Sequence, residues 1–127
     1  MNSGFNVRTK QSDHWETPKW LYDALDTEFG FTLDPCPLEP KQDGLAIDWV
    51  DERVFCNPPY SNIAPWVRKA SSAELTVLLL PVRTDTDWFR FLIESNVVMR
   101  FLRKRIRFLL NGKPQTSPRF ASLIVVV

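Results

Sequence analysis

Apolar and polar positions divide this chain into helices early and strands late. Trp20, Leu21, Ala24 and Leu25 recur at helical spacing after Thr17-Pro18. Thr17 suits the N-cap, Pro18 suits the first helical position, and Gly30 supplies the stop, so one face of a helix between them should be buried. Phe31-Thr32-Leu33 reads as a short strand that ends at Asp34-Pro35-Cys36-Pro37, because prolines cannot continue a central ladder. Residues 38–53 read as a loop interrupted by Leu45-Ala46-Ile47-Asp48-Trp49. An apolar run at Val54-Phe55-Cys56 then stops at Asn57-Pro58-Pro59-Tyr60.

Beyond that turn, Ala64-Pro65 can start a helix that carries Trp66, Val67 and Ala70 inward and Arg68 and Lys69 outward. Leu75 to Leu80 is nearly continuous in apolar residues, the pattern of a strand covered on both faces, and Pro81 ends it. Thr84-Asp85-Thr86-Asp87 offers N-caps for a helix through Trp88, Phe89, Phe91, Leu92 and Ile93. The last third turns to strands: Val97 to Leu102, Arg105 to Leu110 before the Asn111-Gly112 turn signal, and Ala121 to Val127. The last two are expected to run antiparallel, joined by a mobile loop. Helices alternating with strands, then closing antiparallel strands, predict an α/β three-layer sandwich with a mixed sheet.

A length of 127 residues and 44% apolar composition fit one globular domain with a single core, residues 1–11 forming a flexible arm. Cys36 and Cys56 are too few for a disulfide framework, which points to a reducing, intracellular location. With no apolar run of membrane-spanning length, the chain is expected to be soluble and without a membrane partner. His14, the single histidine, has no metal-binding companions in sequence, so no metal site is expected.

Charge changes the picture more than composition does. The net charge is +1, yet all 15 acidic residues precede Ser95, and the remainder carries only basic ones, clustered at Arg100, Arg103, Lys104, Arg105 and Arg107. A basic end on a mildly acidic body suits approach to a polyanion from one side. A solvated edge strand guarded by positive charge gives the same pattern.

The Asn57-Pro58-Pro59-Tyr60 turn carries the candidate chemistry. An exocyclic aromatic amine is a poor nucleophile because its lone pair is delocalised into the ring, and accepting a methyl group requires it to move toward tetrahedral geometry. Two acceptors aimed at its hydrogens favour that geometry, and the Asn57 side-chain carbonyl and Pro58 backbone carbonyl can supply them. Tyr60 can stack on a base held out of a duplex. Asp34, at a strand's carboxyl end, can contact a ribose or amino group, or simply cap the following turn.

Asn57-Pro58-Pro59-Tyr60 resembles motif IV of the amino-methyltransferases, and the order of its companions is similar to the phage-type DNA N6-adenine methyltransferase (Dam) family from Asp13 to about Val127. Trp15-Glu16-Thr17-Pro18 resembles the segment that contacts the methionine part of S-adenosylmethionine in such enzymes. Leu33-Asp34-Pro35-Cys36 resembles the acidic end of the first strand at the cofactor, and Asp48-Trp49 the acidic motif near the cofactor adenine. Leu79 to Trp88 and Arg105-Ile106-Arg107-Phe108 resemble later segments. Pro37-Leu38-Glu39 stands where most such folds place a glycine-rich turn, and Lys104 stands where a glycine is expected.

The resemblance implies a compact, Rossmann-like methyltransferase fold over residues 1–127, reduced in strands two and three, with no separate target-recognition domain. It implies S-adenosylmethionine-dependent methylation of adenine N6 in DNA, in the cytoplasm of a bacterial host. Asn57, Pro58, Pro59 and Tyr60 would be catalytic, and Trp15, Thr17, Pro18, Asp34, Pro35, Cys36 and Asp48 would bind the cofactor. Arg103, Lys104, Arg105 and Arg107 would track DNA phosphates, with Gln115 and Arg119 reading sequence. Methylation of a protein glutamine, or DNA binding without catalysis, remain alternatives, and oligomeric state is not readable.

Overall fold

In the computed structural model, which describes residues 15–37, 39–110, 112–114 and 120–127, a four-stranded sheet separates two apolar layers. The helices are α1 (Lys19–Phe29), α2 (Ala64–Lys69) and α3 (Asp87–Ile93). The strands are β1 (Arg53–Cys56), β2 (Leu75–Pro81), β3 (Val98–Phe101), β4 (Leu109–Leu110), β5 (Lys113–Pro114) and β6 (Ser122–Val126).

The main sheet has the order β1-β2-β6-β3. β1 and β2 run parallel, as the crossover through α2 requires, whereas β6 is antiparallel to both β2 and β3. β2 is therefore central, as its continuous apolar run predicts. Alternation along the strands assigns the layers. Val54, Cys56, Leu78, Leu80, Leu123 and Val125 face a cluster with Trp66 and Val67 of α2 and Trp88, Phe89 and Leu92 of α3. The intervening Phe55, Val77, Leu79 and Ile124 face Leu21 and Leu25 of α1, together with Ile106 and Phe108. One helix covers one face and two cover the other, giving the predicted three layers.

Local chemistry explains the helix ends. Gly30 adopts φ 64° and its N–H bonds the Asp26 carbonyl at 2.8 Å, a left-handed stop that glycine makes without steric penalty. Thr86 caps α3, its hydroxyl accepting from the Phe89 N–H at 3.3 Å. The α1 start differs from expectation. Pro18 holds the N-cap position and no side chain caps the helix, because Thr17 is engaged elsewhere.

Several expectations are corrected. Trp20 points outward at 64% exposure, and α1 instead buries Leu21 and Leu25, with Tyr22 and Phe29 half-buried beside them. Lys69 is not purely outward: its ammonium lies 5.5 Å from the Trp49 ring centre and donates to the Leu45 carbonyl at 2.8 Å. Phe31 to Leu33 contributes only an isolated parallel bridge, Leu33 to Val54. The Arg105 to Leu110 strand is reduced to Leu109–Leu110, which pairs with Lys113–Pro114 around Gly112 at φ 77°. The antiparallel partner of β6 at that edge is β3, since Ile106 and Phe108 turn down onto the α1 layer rather than joining the sheet. Residues 1–11 lie outside the described residues.

Candidate functional site

β1 ends at Cys56, and its last residues deliver Asn57-Pro58-Pro59-Tyr60 to the carboxyl edge of the parallel pair. That edge is where open α/β sheets bind ligands. The structure places the turn inward, with Asn57 4% and Tyr60 6% exposed. Pro58 and Pro59 are buried with them.

Asn57 is held by the segment preceding α1. Its Nδ2 donates to the Trp15 carbonyl at 2.6 Å and to the Thr17 hydroxyl at 3.1 Å. A carbonyl neighbour can only accept, so the amide nitrogen must face Trp15, and the planar group turns Oδ1 the other way. Thr17 thereby orients an amide instead of capping a helix. Trp15 and Thr17 are half-buried and Pro18 is buried. Glu16 fixes the segment through an isolated bridge with Leu109, its N–H and carbonyl making bonds of 3.2 Å and 2.9 Å.

Tyr60 sits in a cluster of four rings. Trp15 stacks on it at 6.0 Å between centroids and 22° between planes. Phe108 and Phe120 meet it edge-on at 6.3 Å and 5.5 Å. The Arg83 guanidinium lies 5.6 Å from the Tyr60 ring centre, and its Nη1 donates to the Tyr60 carbonyl at 3.5 Å. Arg83 and Phe120 are the contacts that sequence reasoning misses. Arg83 belongs to the Leu79–Trp88 segment singled out by resemblance, whereas Phe120 gives no periodic signal.

Asp34 leaves the sheet one strand over from β1, exposed, its Oδ1 accepting the Cys36 N–H at 3.0 Å. Pro35 and Cys36 are buried behind it. This segment is wedged against Gly44, where a Cβ would lie 1.8 Å from the Pro35 carbonyl oxygen. The Gly44 carbonyl in turn accepts the buried Trp49 indole N–H at 3.0 Å. Asp48 is exposed and its Oδ1 accepts the Val50 N–H at 2.8 Å. Burial raises the Tyr22 phenol pKa, and the nearby charges of Asp26, Asp34 and Asp23 raise it further.

Arg103, Lys104, Arg105 and Arg107 are exposed. Gln115 and Arg119 lie outside the described residues. Among the described residues no group of three or more His, Cys, Asp or Glu side chains could hold a metal, and no helix is long and apolar enough to cross a membrane.

The family model of the DNA N-6-adenine-methyltransferases (Dam) matches residues 4–127. A DNA N-6-adenine-methyltransferase of Haemophilus phage HP1 (strain HP1c1) is 31% identical over 124 residues, an alignment that spans 84% of this chain and 72% of the phage protein. The chain belongs to the DNA N-6-adenine-methyltransferase (Dam) family. It is accordingly an adenine-specific DNA methyltransferase, whose substrate is DNA and whose reaction needs a methyl donor.

Proposed function

We propose that this protein is a single Rossmann-like domain over residues 1–127 that uses S-adenosylmethionine to methylate adenine N6 in DNA at the Asn57–Tyr60 turn, in the cytoplasm of a bacterial host. The observation that carries the reading is the Asn57 amide, fixed by Trp15 and Thr17 at the carboxyl edge of β1. An amide whose nitrogen is spent on two acceptors has a defined carbonyl direction. Oδ1 and the Pro58 carbonyl accept the two hydrogens of the target amine, favouring a tetrahedral nitrogen with its lone pair released from the ring. Tyr60 stacks on the base, and its buried surroundings keep water from the reacting nitrogen. No covalent enzyme nucleophile is needed.

The residues at the neighbouring edge fit the proposed methyl donor. S-adenosylmethionine is a cationic nucleoside that supplies an electrophilic sulfonium methyl. Exposed carboxylates at Asp34 and Asp48 suit such a cation. Asp34 and Asp48 would hold hydroxyl and amino groups, Pro35 and Cys36 would shape the floor, and Trp15, Thr17 and Pro18 would close the side toward α1. Gly44 holds the Pro35 segment in place, because it lets two backbone segments approach where any side chain would collide. Arg103, Lys104, Arg105 and Arg107 would contact phosphates, with Gln115 and Arg119 reading sequence.

The test is methyl transfer by the purified chain from S-adenosylmethionine to DNA prepared from a methylation-deficient host, read by mass spectrometry of the nucleosides. N6-methyladenine is the expected product. Methylcytosine alone, or no methylated base while the folded protein binds no S-adenosylmethionine, overturns the reading.

A further inference from the structure

We infer that the Trp15 indole occupies the slot of the target adenine, and that residues 15 and 16 form a movable wall which must swing out when the base arrives. The inference rests on the proposed role of Tyr60 in stacking that base. Trp15 lies nearly parallel to Tyr60, at 22°, while Phe108 and Phe120 stand across the indole in T-shaped contacts at 5.7 Å and 5.4 Å. Indole and purine share a flat, fused six-five ring skeleton, so a slot that closes on one has the thickness and width for the other.

Space decides the order of events. Two stacked layers with a purine between them need about 7 Å between the outer rings, from ordinary carbon contact distances. Trp15 and Tyr60 have centroids 6.0 Å apart, so no base fits between them. Arg83 already packs against the Tyr60 ring. A base that stacks on the Trp15 side of Tyr60 therefore has to take the place of Trp15.

The rings differ in how firmly they are held. Phe108 is 1% exposed, and the Tyr60 turn is the direct continuation of β1. Trp15 is half-buried, and among the described residues its segment has as polar ties the Glu16–Leu109 bridge, the Gly112 N–H on the Glu16 carboxylate and the Asn57 amide. Displacing Trp15 also removes its carbonyl from Asn57 Nδ2. The Thr17 hydroxyl, nearer α1, keeps its hold on Nδ2 at 3.1 Å, so Oδ1 retains its direction as the slot opens.

The bridge offers a lock. Glu16 and Leu109 exchange both backbone hydrogen bonds, the pairing whose Cα atoms lie about 5.5 Å apart, within disulfide range. In the Glu16→Cys/Leu109→Cys chain, with native Cys36 and Cys56 buried, oxidation should tether the wall shut. The oxidised form should transfer methyl groups to DNA at least about tenfold more slowly than the reduced form, since the competent state becomes rare, and reductant should restore the rate. S-adenosylmethionine binding, followed by calorimetry, should persist in both forms. Equal rates in the oxidised and reduced forms overturn the inference.

A second measurement uses the unaltered chain. With 5-fluorotryptophan incorporated and the Trp15 fluorine signal assigned through Trp15→Phe, saturating DNA should move that signal toward the solvent position while those of buried Trp49 and Trp66 stay. A Trp15 signal that does not move in a protein that methylates DNA refutes this inference alone. A protein that methylates no DNA refutes the proposed function, and this inference with it.

Discussion

Replacing Gly44 by Ala should be among the most damaging single-methyl additions in this chain. The added Cβ would lie 1.8 Å from the Pro35 carbonyl oxygen and 2.7 Å from the carbonyl carbon. Both are backbone atoms, so relief requires two chain segments to part by well over an ångström rather than a side chain to rotate. Overpacking typically costs 1–3 kcal/mol, and a collision with backbone belongs at the upper end, about 3 kcal/mol. At about 4 °C per kcal/mol for a domain of this size, the melting temperature should fall by about 12 °C.

Gly30→Ala is the matched control. Gly30 has φ 64° but nothing within 4 Å of its Cβ position, so only the left-handed backbone is penalised, by about 1 kcal/mol. Gly30→Asn should recover part of that loss, because Asn tolerates the conformation. No residue should rescue position 44. Urea and thermal unfolding followed by circular dichroism measure all three variants. A Gly44→Ala protein no less stable than Gly30→Ala would refute the close approach. Because Gly44 packs against Pro35 and its carbonyl accepts the Trp49 indole N–H, the same substitution should also weaken methyl-donor binding at the proposed site.

Three further outcomes are expected. Thr86→Ala removes the α3 cap and should cost about 1 kcal/mol in urea unfolding, whereas Thr86→Asn should cost little. The Arg100 guanidinium, hydrogen-bonded to Glu28, holds that carboxyl below its usual range. This contribution is present above the ordinary carboxylate pKa and is lost as pH falls through the lowered one. Arg100→Gln should therefore move the Glu28 titration upward in NMR; an unmoved midpoint would contradict the pair. Neutralising Arg103 and Lys104 should reduce the slope of log DNA affinity against log salt by about 2, and an unaltered slope would assign them to a solvated edge.

Much of the fold is legible in the sequence where local signals and burial agree. The run Leu75 to Leu80 identifies the central strand because both of its faces are covered, and Gly30 and Thr86 end or start helices by backbone chemistry that acts locally. Tertiary competition defeats the rest. Thr17 has the composition of a cap, yet its hydroxyl serves Asn57, 40 positions away in sequence. Arg105 to Leu110 alternates like a strand, but Ile106 and Phe108 pack into the α1 layer, Phe108 meeting Tyr60, instead of pairing at the sheet edge. The Asn57–Tyr60 turn is evident from its prolines. Its enclosure by Trp15, Phe108 and Phe120 is not, since residues so far apart in sequence meet only once the sheet has formed.

The central claim is that the Asn57 amide orients the amine that is methylated. Its most direct test compares the wild-type chain with Asn57→Ala for methyl transfer from S-adenosylmethionine to adenine in DNA, with donor affinity measured by calorimetry on the same samples. Loss of transfer by about a hundredfold or more, with donor affinity retained, is the predicted result, because misplacing a reacting group costs on that order. Transfer at the wild-type rate by a folded Asn57→Ala protein would contradict the account.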